Sequence, residues 1–405
     1  MSADAMLFGA ALGLQPPWRV ADVQFDVEAK ELHIHLDFPR GSVFACPGCD
    51  APVKAYDTKE HVWRHLNFFE HKCYLHANFP RVECKDCGIK VADAPWARLG
   101  SGFTLLFEAF VLKLCKHMDV SAIARLVGEH DTRLWRMVMA YVDQARLEVD
   151  MSDVTQIGVD ETSWKSNHNY ITVFADLSKR RVLLVTEGKD SHTVGEFHQD
   201  LVDHLGDPDK IATVCMDLSP AFRSGVSEYL PQAKHIYDRF HVVKLANEAV
   251  DQVRRQEAKT NDVLKKTRYL WLSNPNNLDE TKQQKLTTIR AMNLATATAY
   301  QMKLNLMELW TLPSRDIAET HLNDWCKWVT GTRIGAPMKK LAKTVKAHAK
   351  GILSYFPDKL TSGLMEAVNS VVQAAKAKAR GYRNVEYFKT IIYLIAGKLQ
   401  FDLPT

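Results

Sequence analysis

Hydrophobic positions fall into two periods along this chain, and the switches between them mark its regions. Alternation by two comes first. Val20–Val27 and Glu31–Phe38 alternate well enough to predict a hairpin, and Trp63–Cys84 offers further strand. From Phe103 the spacing becomes helical. Phe103–Lys116 predicts one helix, and Ser121 can cap a second over Ala122–Val127, with Ile123, Ala124 and Val127 inward. Gly128 breaks it. Asp131 can cap a third helix over Thr132–Ala145, with Leu134, Val138, Tyr141 and Val142 on one face. Short helix, glycine turn and longer helix is a helix-turn-helix pattern, which an ordinary helical hairpin also shows. Arg133 and Arg136 then stand near the start of its second helix, where side chains meet base edges.

Alternation returns at Gln156–Ser163, where Ile157 and Val159 precede Asp160 and Glu161. Tyr170–Asp176 and Arg181–Glu187 continue it as a meander. Ile211–Met216 predicts a strand ending at Asp217, and His235–Tyr237 one ending at Asp238. Glu161 should point to the opposite face from Asp160. The stretch that follows is helical: Ala246–Leu272 with Arg254, Arg255, Lys265, Lys266 and Arg268 outward, a break at 272–277, then Leu278–Leu309 and His321–Val329. Leu364–Arg380 is amphipathic. Glu366, Asn369, Gln373, Lys376 and Arg380 share one face, while Val368, Val371, Val372, Ala375 and Ala379 are expected on the sheet. Val385–Leu399 predicts the last helix.

Chemistry sharpens this outline. A single acid at a strand end is ordinarily a solvated turn residue. Two at strand ends, with a third in the first turn of a helix, suit a pair of hard divalent cations that also bind substrate phosphate. Cys46-Pro-Gly-Cys49 and Cys84-Lys-Asp-Cys87 are two knuckles able to turn four thiolates onto one tetrahedral Zn²⁺, a closed structural site. Buried or redox-active thiols are the alternative. Eight cysteines arranged this way fit a reducing compartment better than a disulfide scaffold. Cys73, Cys115, Cys215 and Cys326 lie singly in apolar contexts and read as core. The formal charge of +4 is small, but Arg333–Lys398 holds about a dozen Lys and Arg against three acids. Met6–Leu14 is short and follows an acid, unlike a signal peptide, and no apolar run reaches spanning length. The expectation is a soluble cytoplasmic protein.

Four blocks carry a resemblance: Gly158-Val-Asp-Glu-Thr-Ser163, Met216-Asp-Leu-Ser-Pro-Ala-Phe222, Asp238-Arg-Phe-His-Val-Val-Lys244 and Ser362-Gly-Leu-Met-Glu-Ala-Val-Asn369. In this order they resemble the landmarks of the bacterial insertion-sequence transposases of the ISL-three family, and the resemblance covers nearly the whole chain. It implies an α/β ribonuclease-H-like core with an all-α insertion, preceded by a β-rich zinc-binding module and a helix-turn-helix. The expected divisions are 1–98 for the zinc-binding module, 99–150 for the helix-turn-helix, 151–244 and 357–405 for the core, and 245–356 for the insertion.

The same resemblance makes Asp160, Asp217 and Glu366 the catalytic triad, holding two Mg²⁺ or Mn²⁺ ions. Asp238 is the rival of Asp217. Cys46, Cys49, Cys84 and Cys87 hold one structural Zn²⁺. Arg239 and His241 bind DNA phosphate or brace the metal ligands, and Lys376 and Arg380 follow the DNA backbone. The implied partner is double-stranded DNA, both the element's terminal inverted repeats and its target, bound by a homodimer in the synaptic complex, with no membrane. The implied reaction is metal-dependent cleavage and strand transfer. Trp310, Trp325 and Trp328 either stack on a distorted base or belong to the core. A nuclease without strand transfer, a zinc-finger regulator with an inactive core and a phosphatase-like metal hydrolase are the competing readings.

Overall fold

The computed structural model describes residues 2–165, 169–292, 294–356 and 363–403. The chain forms two units: Met1–Leu147 with Ala375–Ile395 and Leu399–Thr405, and Glu148–Ala374 with Ala396–Lys398.

The first unit begins with α1 (Ala3–Ala11), whose first turn is capped by Ser2. Strands β1 (Arg19–Asp26), β2 (Glu31–Asp37), β3 (Val43–Ala45), β4 (Pro52–Phe68), β5 (His71–Cys84) and β6 (Gly88–Val91) form one sheet in the order β1-β2-β5-β4-β3, with β6 on β5. The alternation in β2 is real: Leu32, Ile34 and Leu36 are buried, and the residues between them are half-exposed. Trp18, Phe79 and Trp96 pack ring on ring over this face. Burying each such side chain contributes roughly 1.5–3 kcal/mol.

Helices α2 (Leu105–Cys115), α3 (Val120–Val127) and α4 (Asp131–Leu147) follow. The cap of α3 is Asp119, two residues before the expected Ser121. Its carboxylate accepts the Ala122 N–H at 2.9 Å, which lets Val120 be buried in the first turn. Gly128 ends α3 with φ +70°, a left-handed position that costs glycine little. Leu134, Val138, Tyr141 and Val142 of α4 are buried together, as predicted. Arg64 of β4 is almost wholly buried and ties this element to the sheet. It donates to the carbonyls of Val127 (3.0 Å) and Cys73 (3.3 Å), while its Nε lies 3.4 Å from Glu129. Such a charge is tolerable inside because Glu129 pairs with it and two carbonyls accept from its terminal nitrogens.

In the second unit β7 (Gln156–Lys165), β8 (Asn169–Asp176), β9 (Arg181–Glu187), β10 (Thr213–Met216) and β11 (Lys234–Tyr237) are ordered β11-β10-β7-β8-β9. The first three form the expected antiparallel meander, and β10 and β11 join in parallel. Helices α5 (His192–Asp203) and α6 (Pro220–Tyr229) supply Val194, Phe197, Phe222 and Val226 to the core.

The helical stretch comprises α7 (Arg239–Glu257), α8 (Arg268–Leu272), α9 (Glu280–Arg290), α10 (Ala295–Glu308), α11 (Arg315–Gly331), α12 (Ala336–Ala347) and α13 (Ala349–Leu353). The two long helices expected at Ala246–Leu272 and Leu278–Leu309 are each broken. Glu257 ends α7, and its carboxylate accepts the Ala295 and Thr296 N–H groups at 2.9 and 2.8 Å, so α10 starts on a cap supplied from α7. Arg254, expected outward, turns in to buried Asp251 at 2.7 Å. Trp310 and Trp325 are core, whereas Trp328 is 39% exposed.

Last come α14 (Gly363–Lys378) and α15 (Val385–Ala396). The stretch 357–405, expected entirely within the core, is split between the units. The reason is side-chain packing: Tyr387 stacks on Trp135 of α4, centroids 4.1 Å apart and planes 2° from parallel, and Arg146 lies over Tyr393 at 4.4 Å.

Candidate active site

Three parallel strands bring three aspartates to one level. Cys215 pairs with Gly158 on one side and Ile236 on the other, and Met216 pairs with Tyr237. Two steps on from Gly158 is Asp160; two from Cys215 is Asp217; two from Ile236 is Asp238. Strand β7 does not end there, as the sequence pattern suggested. It runs on to Lys165 because β8 keeps pairing with it, Asp160 opposite Val173 and Thr162 opposite Ile171. Asp160 therefore sits mid-strand, where its neighbour β10 has ended. Carboxyl ends of parallel strands are where open α/β sheets take their ligands.

Asp160 is half-buried and fully engaged. One carboxylate oxygen accepts the Glu161 N–H at 2.8 Å, and the other accepts from Asn369 Nδ2 at 2.5 Å. Burial raises its proton affinity; His241, the Glu161 N–H and Asn369 pull it back, and Asp217 adds repulsion. Asp217 accepts the Ser219 N–H at 2.8 Å. Glu161 alternates away from Asp160 along the strand but stays in the same field. Burial raises its proton affinity, Lys189 opposes this, and Asp217 and Asp160 reinforce it. Asp238 is buried, caps α7 through the Phe240 N–H at 2.8 Å, and lies 3.7 Å from His241 Nε2.

Helix α14 lies along β7 in a simple match of repeats. Four residues of helix advance about 6 Å and two residues of strand about 6.6 Å. Met365, Asn369 and Gln373 accordingly meet Gly158, Asp160 and Thr162 in turn. A Cβ on Gly158 would come within 2.5 Å of Met365 Sδ, so the close approach requires glycine. This reverses part of the expected facing. Asn369 and Gln373 point at the strand, and Val371 is 43% exposed. Tertiary hydrogen bonds to Asp160 and Thr162 outweigh the helix's own apolar count.

Glu366 is exposed, one turn before Asn369. Among the described residues, no three Asp, Glu or His ligand atoms lie within 4.8 Å of one another, so Glu366 does not join Asp160 and Asp217 in one ion-sized cluster. The donor set nevertheless fits a hard cation. Asn369 Oδ1 is buried without a hydrogen-bond partner, beside the Asp160 carboxylate that its own Nδ2 holds. Asn369 was legible only as one member of a polar stripe, without a role.

The four knuckle cysteines do form such a cluster, all Sγ atoms within 4.8 Å of one another. Gly48 makes room for it, since a Cβ there would lie 2.9 Å from Cys87 Sγ. The Asp86 and Cys87 N–H groups, and then Cys49, hold the Cys84 thiol down to about 7, while Cys49 and burial push the Cys87 thiol up to about 12. Four such ligands suit tetrahedral Zn²⁺.

The expected DNA contacts are placed as follows. Arg133 pairs with Glu129 and lies over the Phe103 ring at 4.5 Å. Arg136 is exposed on the next turn. A groove of about 700 Å³ at the turn between α3 and α4 is lined by Lys72, Tyr74, Arg125, His130 and Arg133, together with Asp131. Arg239 is exposed over the Trp310 ring at 5.6 Å. Lys376, in the last turn of α14, and Arg380, in the turn just past its end, group with the first unit, whereas Glu366 and Asn369 fall in the second.

Three family models match the chain. One described as a transposase covers residues 157–392, one for the helix-turn-helix domain of transposase family ISL3 covers 92–142, and one for the zinc-finger of transposase IS204/IS1001/IS1096/IS1165 covers 42–87. The chain is 28% identical over 376 residues to the transposase for insertion sequence element IS1001 of Bordetella parapertussis, spanning 89% of this chain and 90% of that protein. It is also 28% identical over 439 residues to the transposase for insertion sequence element IS1557 of Mycobacterium tuberculosis, spanning 98% and 97%.

Proposed function

Because the chain belongs to the ISL3 family of DDE transposases, we propose that it binds the terminal inverted repeats of its own element and cleaves and joins DNA through Asp160, Asp217 and Glu366. The observation that carries this is the level placement of Asp160 and Asp217 at neighbouring strands, with the unpartnered Asn369 Oδ1 beside them. The sheet order, a meander extended by two parallel strands, supports a ribonuclease-H-like core with 245–356 as its helical insertion. Residues 1–98 and 99–150 are the end-recognition modules, the first braced by one Zn²⁺. Synapsis of two ends calls for a homodimer.

Two Mg²⁺ or Mn²⁺ ions, when bound, supply Lewis acidity to the attacking and leaving oxygens. The chain's own residues do the rest. Asp160 and Asp217 offer hard oxygen ligands, and Glu366 offers a third from α14. Asn369 fixes the rotamer of Asp160, so the ligand is oriented before substrate arrives. Asp217 is preferred to Asp238 because it shares a field with Asp160, whereas Asp238 is buried as the cap of α7. His241, which faces Asp238 and lies in the field of Asp160, together with Arg239, offers N–H donors to phosphate. No side-chain nucleophile is required.

Labelled duplexes carrying the element's ends, and scrambled ones, test the reading. Wild type should prefer the ends by about 10³-fold or more and cleave them only with Mg²⁺. Arg133→Ala/Arg136→Ala should erase most of that preference, since each base-reading Arg contributes about 1–3 kcal/mol of discrimination. Equal binding to both duplexes, with no metal-dependent cleavage, would refute it.

A separate expectation concerns Asn369→Ala. Loss of the contact that orients Asp160 should weaken Mn²⁺ binding by about 10–100-fold, as read by calorimetry without DNA. Unchanged Mn²⁺ affinity would remove Asn369 from the site.

A further inference from the structure

Strand β11 is the edge of the second unit's sheet, and basic side chains gather beside it from four elements. Arg223 comes from α6, His235 from β11, His348 from the end of α12 and Lys350 from α13. Tyr237 of β11 is a hub for two of them. Arg223 interacts electrostatically with the Tyr237 side chain, and His348 meets its ring edge-on at 5.3 Å. The Gly351 backbone lies so close that a Cβ there would come within 2.4 Å of the same ring.

Among the described residues the cluster has no counter-charge. Arg223 Nε is buried with no hydrogen-bond partner. Among the described residues, no acid pairs with Arg223, His235, His348 or Lys350. Burial and then Arg223 depress the protonation of both histidines, and Lys350 adds to the effect on His235, so the four share one field. The two buried arginines, Arg64 and Arg254, each meet a carboxylate, Glu129 and Asp251. Lys350 is exposed, and Arg223 and both histidines are half-exposed, so solvent and ligand reach them. An oxyanion on the exposed part of the Arg223 guanidinium and on Lys350 would supply the missing negative charge, and imidazole N–H groups donate to phosphate even when neutral.

We infer that Arg223, His235, His348 and Lys350 form a binding site for a DNA backbone phosphate at the same carboxyl end of the sheet as Asp217. The placement favours this source. Tyr237 directly precedes Asp238, which stands level with Asp217, and Arg223 lies in the helix that begins three residues after Asp217. The inference rests on the proposed function and adds a second grip on the strand, independent of sequence.

The experiment is a salt titration of duplex binding by the full chain. Arg223→Gln should weaken end-containing and scrambled duplexes by the same factor. It should also lower the slope of log affinity against log salt by about one, the signature of one lost phosphate. Lys350→Gln, exposed and clear of the Tyr237 hub, should shift the slope the same way, which keeps the test open if the Arg223 change disturbs folding. Arg223→Lys should recover most of the slope. Unchanged slopes for both Gln variants, in a protein whose wild type still cleaves its ends, would overturn the site and leave the proposed function standing. Inorganic phosphate that stabilises wild type but not Lys350→Gln, with duplex binding unchanged, would assign a free anion to the cluster and overturn the DNA reading.

Discussion

Asp160→Asn is expected to keep the fold and the binding of DNA ends, and to lose cleavage and joining with Mg²⁺ by about 10³-fold or more. The size follows from the several kcal/mol that a well-held ion supplies, at roughly tenfold in rate per 1.4 kcal/mol. The small effect on stability follows from the contacts. Asp160 is an acceptor at both oxygens, from the Glu161 N–H and from Asn369. An amide keeps one acceptor and turns a donor towards the other contact, a loss of about 1 kcal/mol. Removing a half-buried charge beside Asp217 returns part of that loss. Asp217→Asn should behave alike, since Asn also caps the Ser219 N–H. Glu366→Gln, at an exposed position, should leave stability untouched and abolish activity. Asp238→Asn is the discriminating variant and should retain more activity than Asp217→Asn. An active Asp217→Asn beside an inactive Asp238→Asn would exchange their roles, and full activity in Asp160→Asn would end the two-metal reading.

What the sequence disclosed depended on how local each cause was. Strand β9 matches the predicted Arg181–Glu187 residue for residue because alternation and the flanking turns are properties of that segment alone. The cysteine knuckles were legible for the same reason. The breaks in the helical stretch were not, because the cap that starts α10 is the side chain of Glu257, far back in α7. The end of β7 was misjudged because β8 continues the ladder past the acids. In α14 the periodicity was right and the facing was partly wrong: Asn369 turns to the strand for a carboxylate that is remote in sequence. Likewise, only tertiary packing shows that α15 stacks on α4 through Tyr387 and Trp135. Level placement of Asp160, Asp217 and Asp238 needed the register of three strands, and their order along the chain gave no hint of it.

The second large effect is expected at the zinc site. Purified wild type should carry one zinc per chain, and Cys84→Ser or Cys46→Ser should carry none. Three thiolates hold the ion poorly, and apparent binding energies of structural zinc in small modules run to about 10–16 kcal/mol. That is comparable to the whole stability of a typical domain, about 5–15 kcal/mol, so the question is how far the damage spreads. Trp18, Leu32, Ile34, Leu75, Phe79 and Trp96 form a buried cluster that needs no metal, and Arg64 ties β4 to α3 separately. The strands that depend on the ion are β3 and β6, which have three and four residues and are mostly exposed. Amide exchange should therefore accelerate sharply in β3, β6 and the knuckles, and much less in β2 and β5. Cys73→Ser is the control. Its thiol is buried in β5 among apolar neighbours and pushed up to about 11 by that burial, so the change should cost packing and leave zinc content at one. Wild-type protein that contains no zinc while its four knuckle thiols react freely would defeat the assignment. A disulfide between Cys49 and Cys84, whose sulfurs lie 3.6 Å apart, would instead favour a redox role for the pair.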